Sequence, residues 1–314
     1  MAREIEGIAV QDDRPTSGGN SVRSSYSGPV PASASAIRPP FLSIRVRIDD
    51  QLPSLLGLCA GYQDQEWRAD GFARYLIEHL VEFVYPPHEW SKARSDTAIE
   101  MATRAAKAVY STEKHERRGE VGELLLFAIL RAYYGSIPII SKLYFKSAAN
   151  DTVKGFDAVH FVEAASGLEL WLGEAKLYTD AGAAIRDVVA EIEQHTGAEY
   201  LRQEFAWIGN KLPSENSHYE TITALLDDRT SLDEVFKVLH VPVLITYDSS
   251  AIGAHKAVTQ EFEAAITNEM SRHHSVFCQR FSGMIRVHVI LVPLGTKKLL
   301  LDSFDAKLKA LQTL

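Results

Sequence analysis

The chain has 314 residues, with 33 Lys+Arg against 41 Asp+Glu and a formal charge of −8. Hydrophobic residues at 46 % and charged residues at 24 % match a soluble globular protein long enough to bury a full core. A mean hydropathy of −0.10, with no apolar run of about 18 residues, excludes a membrane helix, and two cysteines, Cys59 and Cys278, are too few for a disulfide framework or a Cys-rich zinc site.

The N-terminus shows no secretory pattern, so the expected setting is the cytoplasm. Residues 1–40 read as a disordered tail: 15 of the 26 residues from Pro15 to Pro40 are Ser, Gly or Pro, with little apolar matter to offset chain entropy. Order begins at Phe41. Leu42, Ile44, Val46 and Ile48 alternate with polar residues, the period of a half-buried strand. Helical patterns over 66–85 and 91–110 are broken at Pro86-Pro87, and a third runs from about Thr112 to Tyr134, ended by Gly135. Three strand-like segments follow at about 138–147, 155–163 and 168–178. An amphipathic helix is predicted over 181–195, with Ile185, Val188, Val189 and Ile192 on one face. Val241–Tyr247 and Ile285–Val292 read as buried strands separated by a helix, and a last helix covers 297–312. The plan is α/β or α+β, a small mixed sheet flanked by helices. It divides into the tail, an N-terminal strand and helices at 41–111, and a core at 112–314.

No phosphate-binding glycine loop, dinucleotide fingerprint or nucleophile elbow occurs, so ATP binding by this chain is not expected. An acidic protein is an awkward partner for DNA, but the charge is uneven. Residues 112–186 hold nine Lys/Arg and ten Asp/Glu, against four and eleven in 187–240. The second stretch is a solvated surface or a docking face for a more basic partner.

The informative stretch runs from Glu120 to Lys176. It carries Glu120-Val-Gly-Glu123 on a helix, Gly155-Phe-Asp157 opening a strand and Glu174-Ala-Lys176 on the next strand. An acidic-x-Lys triplet alone is uninformative, since roughly two are expected by chance, and the second one here, Asp305-Ala-Lys307, lies in a helical pattern where positions two apart do not share a face. On a strand they do, so Glu174 and Lys176 project to one side. A turn near Ser166-Gly167 lets the strand after Asp157 pair antiparallel with theirs. Asp157, Glu174 and the Ala175 carbonyl then form a hard-oxygen set for Mg²⁺ or Mn²⁺, Lys176 supplies placed positive charge, and Glu123 or Glu120 completes the site. Such a group suits phosphodiester hydrolysis. Lys142 and Lys146 on one strand face, Lys154, and Arg186 and Gln194 on the following helix are candidate nucleic-acid contacts. The plainer alternative is an ordinary same-face ion pair on a sheet, in a protein that regulates or positions another.

This order of parts resembles the PD-(D/E)XK nuclease superfamily, with its restriction-endonuclease-like core. The runs Arg118-Gly-Glu-Val-Gly-Glu-Leu-Leu, Ile140-Ser-Lys-Leu-Tyr-Phe-Lys, Asn150-Asp-Thr-Val-Lys-Gly-Phe-Asp157 and Leu170-Trp-Leu-Gly-Glu-Ala-Lys176 resemble the HamA family, nuclease subunits of the Hachiman anti-phage defence system. The likeness is strongest over about 115–195. It implies a metal-dependent DNA nuclease restrained by a separately encoded helicase, HamB, with Glu174 and Lys176 as the catalytic pair and Asp157 as the acidic metal ligand.

Overall fold

A computed structural model describes residues 40–90, 92–109, 119–140, 155–214 and 216–314. The expected tail, the predicted start of the third helix, the distal part of the strand predicted at 138–147, and Lys142, Lys146 and Lys154 lie outside them. The N-terminal part gives strands β1 (Ser43–Ile48) and β2 (Ser54–Cys59) and a ribbon of β3 (Tyr62–Gln63) and β4 (Glu66–Trp67). Helices α1 (Ala69–Glu78), α2 (Leu80–Val84), α3 (Pro87–Trp90), α4 (Ala98–Val109) and α5 (Gly119–Tyr134) follow. The central part holds β5 (Ile137–Ile140), β6 (Ala158–Ala164), β7 (Gly167–Leu177), α6 (Ala181–His195), α7 (Ala198–Lys211), α8 (Tyr219–Leu226) and α9 (Leu232–Val238). The chain closes with β8 (Leu239–Asp248), α10 (Ser250–Ala254), α11 (Gln260–Arg280), β9 (Arg286–Leu294) and α12 (Lys297–Gln312).

The fold is mixed α/β, as the pattern predicts, but the sheet is larger than expected. Among the described residues, seven strands run in the order β1-β2-β9-β8-β7-β6-β5. β7, β8, β9 and β2 are parallel neighbours, while β1, β6 and β5 pair antiparallel. The added strand is β2, whose six residues are all buried and therefore show no alternation to read. The pattern at 66–85 divides at His79 into two helices, and Pro87 opens a new short one at the position where a missing N–H costs nothing. The strand expected from 155 starts at Ala158 because Gly155 sits at φ +137° and turns the chain first.

Helices cover both sheet faces. On β7, Leu170 and Leu172 point to one face, with Ile185, Val188 and Ile192 of α6 and Met270 and Phe277 of α11. Trp171 and Leu177 point to the other, with Leu124, Leu125 and Leu126 of α5 and Phe304 of α12. Close approach of α5 depends on two glycines. A Cβ on Gly173 would lie 2.9 Å from Leu126, and one on Gly122 3.3 Å from Leu177.

At the start of the parallel strands, Trp171 stacks on His240 and His288 at 5.3 and 4.6 Å. The two imidazoles are joined at 2.8 Å, and His288 is tied to the Ser54 hydroxyl at 2.9 Å. Burial, with the charge of Arg286 adding to it, holds His240 down at about 4. Burial and the neighbouring positive groups hold His288 at about 3, and complete burial does the same for His160 beside Arg131. A depressed histidine stabilises the fold fully above its unfolded value near 6.5 and loses that contribution as pH falls toward 3–4. Stability against urea should therefore drop between pH 6.5 and 5 by roughly 1 kcal/mol per histidine for each pH unit. His160→Gln should flatten the slope; a midpoint constant over that range would contradict this account.

Candidate active site

The β6–β7 ladder ends where Ala158 pairs with Gly173, and Asp157, one residue beyond it, is held beside the Glu174–Lys176 segment. Two bonds fix it there. The Asp157 N–H donates to the Gly173 carbonyl at 2.8 Å, and its Oδ2 accepts from the Ala175 N–H at 2.9 Å. Glu174, at 2 % exposure, occupies the same face as Leu170 and Leu172, where an unpartnered carboxylate would be costly.

Its partner comes from α6. Strand residues two apart advance about 6.6 Å and helix residues four apart about 6 Å, so an antiparallel strand and helix can match side chain for side chain. That match occurs over three rungs. The Tyr178 hydroxyl donates to Asp187 at 2.8 Å, the Lys176 ammonium pairs with Glu191, and His195 Nδ1 meets Glu174 Oε1 at 2.6 Å. The cap that starts α6, Asp180 accepting from the Ala183 N–H at 2.6 Å, sets this register.

These contacts decide the charge states. Burial pushes Glu174 up to about 7, with the charges of Asp157 and Glu191 adding to it and the His195 bond opposing it. Burial lowers Lys176, but the Glu191 bond and the charges of Glu191, Glu174 and Asp157 outweigh it and leave the ammonium raised. His195 is raised in the same way by Glu174, against its own burial. Tyr200, stacked on His195 at 4.2 Å, is pushed up to about 12 by burial and by the surrounding carboxylates.

Asp157, Glu174, Ala175 and Lys176 are thus brought together as predicted by period two. Glu120 and Glu123 belong to the first turns of α5. Their helix α5 covers the opposite face, with Gly122 over Ala175 and Leu177. Arg186 and Gln194 are exposed on α6, whereas Asp187, Glu191 and His195 face β7. Lys307 pairs with Asp70 at 2.6 Å on the surface, far from this chemistry. Among the described residues no three acidic, His or Cys side chains form a ready-made metal cage. Two carboxylates with a strand carbonyl still suit a hard divalent cation that keeps most of its waters. The raised Glu174, buried beside a second carboxylate, is a group that such a cation would relieve.

The layout defines a mixed α/β protein of nuclease-like architecture, carrying an acidic-lysine cluster on β7 and at the start of β6. The sequence pattern of the HamA family matches residues 39–308. The chain belongs to the HamA family. It is also similar to anti-bacteriophage protein A of Escherichia coli (strain K12), at 29 % identity over 126 residues. The match covers 40 % of this chain and 23 % of that protein.

Proposed function

We propose that this chain is a metal-dependent DNA nuclease, the effector of a two-component anti-phage defence whose other member is the helicase HamB. The single observation that carries the chemistry is the Asp157 carboxylate bonded to the Ala175 N–H beside Glu174, with Lys176 on the same strand face as Glu174. The defence role is supported by family membership and by the name of the E. coli relative. Asp157, Glu174 and the Ala175 carbonyl would hold Mg²⁺ or Mn²⁺, which when bound polarises the phosphate and the attacking water. Lys176 stays charged, so its role is to neutralise the developing negative charge rather than to remove a proton. His195 orients Glu174, and Glu191 holds Lys176 until a phosphate oxygen takes its place. No helix of the described residues is long and apolar enough to cross a membrane.

The test is a competition between duplex plasmid and short RNA in Mg²⁺, with parallel EDTA samples. The expected result is plasmid loss that needs the metal, slowed by added duplex and not by RNA. Preferential loss of RNA would point to an RNA hydrolase, and cleavage that persists in EDTA would remove the metal from the account.

A further inference from the structure

We propose that Glu204 on α7 is a positioning residue for Asp157, acting through the Gly155–Phe156 turn, so that one helical hairpin sets both carboxylates of the site. This inference rests on the metal-dependent reading of Asp157 and Glu174. The buried face of α7 is Leu201, Glu204, Phe205 and Ile208. A carboxylate in that row, 5 % exposed, is destabilising unless its oxygens are bonded. Glu204 Oε1 accepts from the Phe156 N–H at 3.3 Å. Its carboxylate lies so close to Gly155 that a Cβ there would sit 2.5 and 2.7 Å from its two oxygens. Only glycine can occupy that place, for reasons of space and of its φ of +137°.

Asp157 is the next residue along. The Phe156 ring, 1 % exposed, packs edge-on against His195 at 5.4 Å and against Tyr200 at 6.2 Å. The α6–α7 hairpin therefore reaches Glu174 through His195 and Asp157 through Glu204. A core residue chosen only for packing would be apolar here. A buried carboxylate clamping the backbone that precedes a ligand behaves as an outer support of a metal site, where substitutions cost about 10–100-fold in metal affinity.

The test is calorimetric titration of the full chain with Mn²⁺ for the wild type and for Glu204→Ala, Glu204→Asp and Glu204→Gln. Glu204→Asp keeps the charge but withdraws it by one methylene, whereas Glu204→Gln keeps an acceptor at Oε1. The expected result is at least about tenfold weaker Mn²⁺ binding for the Ala and Asp variants, with Gln within about threefold of wild type. Should Glu204→Ala fail to fold, Glu204→Asp and Glu204→Gln still decide. Wild-type affinity in Glu204→Asp, or Glu204→Gln as weak as Glu204→Asp, would overturn the positioning role and leave the nuclease reading standing. A wild type that binds no Mn²⁺ would remove the metal reading itself, and this inference with it.

Discussion

Glu174→Gln is expected to abolish DNA cleavage while making the protein more stable above pH 7. The loss follows from removing a charged oxygen from the pair proposed to hold the metal, and a drop of at least about 100-fold is the scale for one electrostatic group in a preorganised site. The gain follows from linkage. A carboxyl raised from its ordinary value of about 4.5 to about 7 in the fold favours folding most when protonated. Stability is therefore lost as pH rises from 4.5 through 7. Glutamine mimics the protonated form, so its advantage is present above pH 7 and absent below 4.5. It loses the charge-assisted bond to His195, leaving a net gain of roughly 1–3 kcal/mol at pH 8, or several degrees in Tm. Thermal scans at pH 8 and pH 4.5 beside cleavage assays would check it. A variant that is inactive and equally destabilised at both pH values would show that Glu174 is a structural residue.

Phe156→Ala should be among the most destabilising single changes in the chain, by about 3–5 kcal/mol. The ring is buried between β6 and the α6–α7 hairpin, and it meets the rings of His195 and Tyr200 edge-on. Its removal opens a cavity beside two buried carboxylates, Glu174 and Glu204, and water entering there would loosen both. Phe156→Leu fills most of that volume and should cost less than half as much. Urea unfolding of the two variants measures the difference. A loss under about 1 kcal/mol for the alanine variant would mean that the hairpin collapses onto the site without difficulty.

Much of the frame was legible from local pattern. The bounds of α6 and α12 agree with prediction because each opens on a side-chain cap, Asp180 bonding the Ala183 N–H and Thr296 the Leu299 N–H. Missed outright were the β3–β4 ribbon, the helices α7, α8 and α9, and the strand β2. The pairing of β2 with β9 spans more than two hundred residues, and a strand buried on both faces carries no period to find. Asp157, Glu174 and Lys176 were readable because period two and one short hairpin bring them together. Their partners Glu191, His195 and Glu204 come from helices that follow the motif. Arg186 and Gln194 lie on the polar face of α6, which is its outer face. The available signal was the four-residue spacing of Asp187, Glu191 and His195 set against the two-residue spacing of Tyr178, Lys176 and Glu174. Glu204 breaks the apolar row Leu201, Phe205, Ile208. A charge placed against its own helix pattern marks a residue whose partner lies elsewhere in the chain.

The central claim is that the β6–β7 pair with Lys176 forms a phosphodiesterase centre. Its most direct test is a time course of supercoiled plasmid with purified chain in Mg²⁺ at low salt, run for wild type and Lys176→Ala, first alone and then with the helicase, ATP and a DNA end. The account predicts plasmid loss by the wild type in at least one of these settings, and a rate at least about 100-fold lower for the variant. Equal loss with Lys176→Ala, or none by the wild type even with the helicase present, would contradict it and favour a non-catalytic regulator of the helicase.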